Sequence, residues 1–203
     1  MERDWWLRIV LVLQRPASVF AAMRREDEQE LRQEPLLAII FLAGIAGVLA
    51  TNLAGRVLDD FEIDALGLAV WAFVAGGLYG LTGYFVLGAL LFIGEKSAGA
   101  DTSYVRSRHL LGYACVPLAL SLLAQPVKIA AYGEDAFKSG GSDTGFGAHV
   151  FEAIELVALA WCAVLVVIGV RTVNSWSWWR ALAASLPALA PPALALARAY
   201  GLL

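Results

Sequence analysis

The sequence predicts an all-α integral membrane protein: a bundle of five transmembrane helices preceded by an N-terminal amphipathic, interfacial helical arm. Hydrophobic residues form 60% of the 203-residue chain and charged residues only 16%, whereas soluble domains have roughly 45–50% and about 25%. Long apolar stretches recur after residue 35, and each reaches the ~20 residues that a helix needs to cross a bilayer. A surface with so little charge requires lipid around it.

The apolar stretches divide the chain into two regions, an interfacial arm over residues 1–35 and a transmembrane domain over residues 36–203. Backbone groups in hydrocarbon must pair within their own segment, so each stretch is expected to be helical. The predicted spans cover residues 36–55, 65–94, 109–131, 150–170 and 181–203. The second is long enough to tilt or to project beyond the bilayer. Prolines 187, 191 and 192 interrupt the fifth, which neighbouring helices in a membrane can tolerate.

The arm begins with an apolar run, residues 5–13, that is too short to cross ~30 Å of hydrocarbon. Pro16 suits the first turn of a second helix, in which Val19, Phe20 and Met23 follow at helical spacing. Tryptophans and arginines beside the apolar run are typical of an interfacial helix. Two interpretations follow: the arm packs on the bundle in the headgroup region, or residues 1–35 dock a soluble cytoplasmic protein.

Lysine and arginine predict the orientation, because they accumulate in cytoplasmic loops. With five spans, eleven of the fifteen basic residues fall on the side of the N-terminus. They are Arg3, Arg8, Arg15, Arg24, Arg25, Arg32, Lys96, Arg106, Arg108, Arg171 and Arg180, against Arg56, Lys128, Lys138 and Arg198 on the other side. We therefore expect a multi-pass protein of the plasma (inner) membrane, with its N-terminus in the cytoplasm and its C-terminus outside.

The residues predict no enzyme and no cofactor. Ionisable side chains are absent from the middles of the predicted spans, and neither His109 nor His149 lies where it could serve Ser121 as a base. Cys115 and Cys162 lie in apolar stretches and are expected to be packing residues. A net charge of −3 without a basic block gives no reason to expect nucleic acid as a partner. We name no catalytic residue and no metal ligand.

A polar cluster is predicted at the outer face. His149, Glu152 and Glu155 recur every third residue near the start of the fourth span, and Lys128 is near the end of the third. An ion pair of Lys128 with Glu152 or Glu155 explains the pattern, and a shallow metal or proton site is the alternative. The spacing lacks the HExxH geometry of a zinc site.

Small residues line the second span. Gly76 and Gly80 form a GxxxG step, and Gly83 continues the series. Because apolar side chains gain little by leaving lipid, close backbone approach at small residues drives helix packing. The glycines therefore predict helix contacts, either within one chain or in a homo-oligomer.

Three short motifs resemble the prokaryotic members of the Ypt-interacting protein (YIP) domain family. They are Arg15-Pro16 followed by Phe20, Gly112-Tyr113 followed by Pro117, and Gly169-Val170-Arg171 leading to Arg180-Ala181-Leu182. The resemblance implies a five-span bundle with a cytoplasmic N-terminus, and its eukaryotic relatives are linked to vesicle traffic, Rab-type GTPases and membrane shaping. Tyr113 is expected to hydrogen-bond a neighbouring helix, and Pro117 to kink its own.

From these features we expect a non-enzymatic bacterial membrane protein of the YIP type that binds partners or organises the membrane. Its expected partners are membrane lipids, a cytoplasmic protein on residues 1–35 and further copies of itself. The alternative is a small oligomeric transporter or channel for a neutral solute, because missing buried charge argues against ion coupling but not against neutral cargo.

Overall fold

The structure is a computed structural model that describes residues 4–25, 34–50, 65–133 and 145–202. Every regular element within these ranges is helical, which confirms the all-α class. The helices are α1 (Asp4–Gln14), α2 (Pro16–Arg25), α3 (Glu34–Ala50), α4 (Ala65–Ser97), α5 (Tyr104–Ala114), α6 (Val116–Ser121), α7 (Gln125–Tyr132), α8 (Phe146–Asn174) and α9 (Trp178–Ala199), with a 3₁₀ turn at Leu122–Ala124 between α6 and α7.

Four helical stretches in the described ranges are long and apolar enough to cross a membrane: Leu66–Ser97, Tyr104–Tyr132, Phe146–Asn174 and Trp178–Ala199. The first predicted span coincides with α3, whose apolar part, Leu36–Ala50, is shorter. At 1.5 Å per residue α3 is about 25 Å long, less than the ~30 Å of a hydrocarbon core. Residues 51–55 of that predicted span lie outside the described residues, so the fifth crossing stays a prediction.

The third span is a broken helix. Its first segment, α5, starts at Tyr104 rather than His109, because the Ser103 hydroxyl accepts the Arg106 N–H at 3.2 Å and caps the helix. The break comes at Cys115, two residues before Pro117, which has no N–H to give and disfavours a continuous helix through this turn. The predicted distortion at Pro117 is therefore local: the Cys115 N–H still bonds to the Leu111 carbonyl at 3.1 Å, and the Ala119 N–H bonds to the Cys115 carbonyl at 3.0 Å.

The fifth predicted span remains one helix, α9, in spite of Pro187, Pro191 and Pro192. It begins at Trp178, earlier than predicted. The preceding helix, α8, ends where Ser175 adopts a left-handed conformation (φ 54°), and the Trp176 N–H then bonds back to the Arg171 carbonyl. The loop between these two spans is therefore short.

Helix α4 is the centre of the bundle, in contact with α3, α5 and α9, while α8 packs against α2, α6 and α9. The closest approach joins α3 to α4. A Cβ atom on Gly44 would lie 2.6 Å from the Gly80 Cα and would also overlap the Gly76 carbonyl oxygen. Gly76 and Gly80 are thus used for packing inside the chain, whereas nothing lies within 4 Å of a Cβ placed on Gly83.

The glycine contact predicts opposite effects of two alanine substitutions. Gly44→Ala places a methyl group against rigid backbone, so we expect a loss of about 1–3 kcal/mol in the free energy of unfolding. Gly83→Ala meets open space and raises helix propensity, so we expect no loss and up to about 1 kcal/mol of gain. Thermal unfolding in detergent, followed by tryptophan fluorescence, measures both, and equal stability of the two variants would contradict this account.

Candidate functional site at the basic end of the bundle

Charged and polar side chains gather at the end of the bundle where α4 and α8 end and α5 and α9 begin. We name this the basic end, because Lys96, Arg106, Arg108, Arg171 and Arg180 lie there. Four helices meet at this end, and short connections join them in pairs. It is therefore the part of the described structure where side chains from different spans can act together.

The Glu95 carboxylate is at the centre of this end and is completely buried. Its Oε2 accepts a hydrogen bond from the Ser107 hydroxyl of α5 at 2.5 Å, and its Oε1 accepts one from the Asn174 amide of α8 at 2.8 Å. Arg106 lies near enough to attract the carboxylate. One side chain of α4 thereby joins three of the spans.

This arrangement can lock the helices in register. The Ser107 hydroxyl oxygen also lies 3.2 Å from the Ser103 carbonyl oxygen, and Asn174 donates to the Val170 carbonyl at 3.0 Å, so both side chains are held by their own helices. Hydrogen bonds to the buried carboxyl group stabilise the fold, because the alternative leaves that group buried without partners. The cluster is best described as a polar clamp.

Two arginines, Arg180 and Arg24, form hydrogen bonds to the loops around the polar clamp. Arg180 donates from Nε and Nη2 to the Ala98 carbonyl, at 3.0 and 2.5 Å, and its guanidinium lies 4.2 Å from the Trp176 ring centroid. Arg24, at the end of α2, hydrogen-bonds the Ser175 hydroxyl. The loop after α4, the loop after α8 and the helix α2 are thus tied to one another.

Several residues of the family motifs lie in the core or at helix contacts. Pro16 is the first residue of α2, and Phe20 and Tyr113 belong to the main hydrophobic cluster. A Cβ atom on Gly112 would lie 3.5 Å from the Leu36 side chain, which shows how closely α5 approaches α3. The hydrogen bond expected from Tyr113 to a neighbouring helix stays a prediction.

At the opposite end of the bundle, the predicted cluster is partly assembled. Glu155 accepts a hydrogen bond from the buried Gln125 amide at 3.0 Å, and His149 Nδ1 lies 3.5 Å from Glu152 Oε2. Burial and a hydrogen bond with Glu152 raise the pKa of Tyr200. Within the described ranges, no three His, Cys, Asp or Glu side chains are arranged to hold a metal ion. The ion pair expected for Lys128 stays a prediction.

Glu95 and Asn174 are functional residues that the sequence motifs do not single out. Glu95 lies one residue beyond the second predicted span, but a sequence signal exists: Gly88, Leu91 and Glu95 follow at intervals of three and four and share the buried face of α4. Asn174 gave no such signal, because a single amide at a helix end is common. Its role depends on the meeting of α8 with α4.

The comparison with protein families gives one match. A family model described as the Yip1 domain matches residues 10–197, which includes the helix α2, the first three long apolar stretches and the fourth as far as residue 197. No curated protein and no solved structure matches the chain. The match confirms the resemblance seen in the motifs of the arm and of the third span.

The polar clamp predicts that Glu95→Ala destabilises the bundle by about 1–3 kcal/mol, because the Ser107 and Asn174 donors lose a buried acceptor. Glu95→Gln keeps one acceptor oxygen and should lose less. Asp101→Ala is the control, since that carboxylate is exposed at the same end and reaches only Lys96, at 4.0 Å. Thermal unfolding in detergent measures all three, and a control variant as unstable as Glu95→Ala would refute the clamp.

Proposed function

The chain belongs to the Yip1 domain family, and from this premise we propose that it is a non-enzymatic multi-pass membrane protein that organises the bilayer through its N-terminal arm. We place it in a bacterial plasma membrane. The distribution of lysine and arginine supports an N-terminus in the cytoplasm, so the basic end, α1 and α2 would lie at the inner leaflet.

The observation that carries the proposal is the two-sided character of α1 and α2. One side is docked on the bundle: Val12 and Phe20 are fully buried, and α2 packs along α8. The other side of α1 is apolar but open, with Leu7, Val10 and Leu11 exposed at helical spacing. A helix fixed to a membrane bundle with an outward apolar face is suited to lie among lipid headgroups and acyl chains.

Such a helix would act as a wedge in one leaflet. Its polar ends remain at the headgroups while Leu7, Val10 and Leu11 displace lipid near the top of the acyl chains. Since the docked side is held by core residues, the wedge would keep a constant depth relative to the bundle. The same face could instead receive an apolar surface of a soluble protein or of a second copy, which are the alternative occupants that the test separates.

The wedge predicts that the triple variant Leu7→Ser, Val10→Ser, Leu11→Ser abolishes deformation of vesicles while insertion of the protein is retained. The full chain is reconstituted into phosphatidylglycerol–phosphatidylethanolamine vesicles, and vesicle diameter and tubulation are measured by electron microscopy. The control changes the exposed small residues Ala17→Ser and Ala22→Ser of α2, where no large apolar group is lost. Deformation equal to that of the wild type in the triple variant would contradict the wedge.

A photoreactive residue at Val10 distinguishes the possible occupants in native membranes. Val10 is 51% exposed, whereas Phe20 is fully buried and would report only neighbours within the chain. We expect crosslinks to phospholipid. Capture of one discrete soluble protein, or of a second copy alone, would reject the wedge in favour of an adaptor or an oligomer.

A second candidate function, passage of a small neutral solute, is favoured by a cavity of about 270 Å³ near the opposite end. Apolar side chains of α3, α4 and α7 line it together with the buried Gln125. If the cavity is part of a path, Ala72→Leu should lower the glycerol permeability of proteoliposomes, measured by light scattering. Thr82→Val, at an exposed position of α4, is the control. Permeability no higher than that of empty liposomes would remove this candidate.

A further inference from the structure

We propose that Arg108 and Tyr84 bind the phosphate group of a phospholipid in the leaflet at the basic end, with the Tyr104 ring packed against the guanidinium. None of these residues belongs to the arm or to the polar clamp. The inference therefore goes beyond the proposed function, and either can fail without the other.

Arg108 is a buried cation without a counter-charge among the described residues. Arg108 is only 8% exposed, and no carboxylate and no hydrogen-bond acceptor reaches its guanidinium within the described parts of the chain. Its Nε–H is buried and unpaired. An unpaired charge away from water is costly, so a guanidinium in such a place is expected to meet an anion from outside the chain.

Three aromatic rings form a wall around the guanidinium group of Arg108. The centroids of the Tyr104, Phe85 and Tyr84 rings lie 4.8, 5.1 and 5.5 Å from its central carbon. Aromatic faces attract a cation but are poor hydrogen-bond acceptors. The rings therefore orient the guanidinium group while its N–H groups remain without good acceptors. The Tyr104 hydroxyl donates to the Phe85 carbonyl at 3.0 Å, which holds one ring of this wall in place.

Tyr84, one of these three aromatic residues, offers a second hydrogen-bond donor that is not used within the described residues. The Tyr84 hydroxyl is buried and has no partner within the described residues. Guanidinium N–H groups and a phenol O–H are all donors, so the group they suit is rich in acceptor oxygens. A phosphate diester offers a negative charge and paired oxygens that match the guanidinium fork.

The position favours a lipid as the source of that phosphate. Arg108 follows the start of α5 by four residues, about 6 Å along the helix, and the headgroup layer of a bilayer is roughly 5–8 Å thick on each side. Phe85, one wall of the site, is 44% exposed on the outside of α4, where the bundle meets acyl chains. A phospholipid lying there can place its chains along α4 and its phosphate at Arg108.

The test compares ligands on the purified full chain in detergent. Thermal unfolding is measured with dioleoylphosphatidylglycerol, with dioleoylglycerol, which has the same chains and no phosphate, and with inorganic phosphate. We expect a rise in melting temperature with phosphatidylglycerol alone, and retention of that lipid in native mass spectra. A rise of equal size with dioleoylglycerol would show a site for chains only, and one with inorganic phosphate would show a soluble anion. Either result overturns the assignment to a phospholipid.

Three variants locate the site. Arg108→Gln should weaken the apparent affinity for phosphatidylglycerol by about tenfold or more, and Tyr84→Phe by about three- to tenfold. Lys96→Gln removes a cation from the same end without touching the site and should leave the affinity unchanged. If Arg108→Gln does not fold, Tyr84→Phe, which removes a single oxygen, decides the matter. Wild-type affinity in Tyr84→Phe and in any folded Arg108→Gln protein would overturn the proposal.

Discussion

The close approach of α3 and α4 is the contact on which the bundle depends. Gly44 meets Gly76 and Gly80 with backbone against backbone, and Gly94 meets the Ala184 carbonyl of α9 in the same way. In lipid, apolar side chains gain little by leaving their surroundings, so helix association depends on shape and on contact between backbones. Because α4 makes such contacts on two sides, it can be the central helix, and the other spans are arranged around it.

That arrangement creates two contrasting polar environments at the basic end. Glu95 is buried with hydrogen bonds from Ser107 and Asn174 to its two oxygens, so its carboxyl group is satisfied inside the chain and ties α4 to α5 and α8. Arg108 is nearly as buried and lies against aromatic rings, without an acid to match it within the described residues. The Glu95 environment has its hydrogen-bond partners within the chain and suits a structural clamp. The Arg108 environment suits the binding of an external anion, and the phosphate groups of lipids in the adjoining leaflet are the anions that we propose.

The family and the geometry of α1 and α2 bear on function in different ways. Membership of the Yip1 domain family accounts for the multi-pass architecture over residues 10–197. Phe20 is buried against the bundle and Val10 is exposed, so the two sides of the N-terminal helices differ in their exposure. Lipid can cover the exposed apolar side of α1 beside the membrane bundle. Val10 of α1 is therefore a better site for a crosslinking probe than Phe20 of α2, which is buried.

The long apolar stretches predicted the all-helical class and the approximate extent of four long spans, and the short motifs indicated the family. These depend on local composition and on the need of each segment to satisfy its own backbone in lipid. Only the packing of the helices shows which glycines are used for close contacts, and that Glu95 meets two hydrogen-bond donors while Gly83 faces open space. Helical periodicity places residues on a face, but whether that face meets a donor, a backbone or lipid depends on which helix packs beside it.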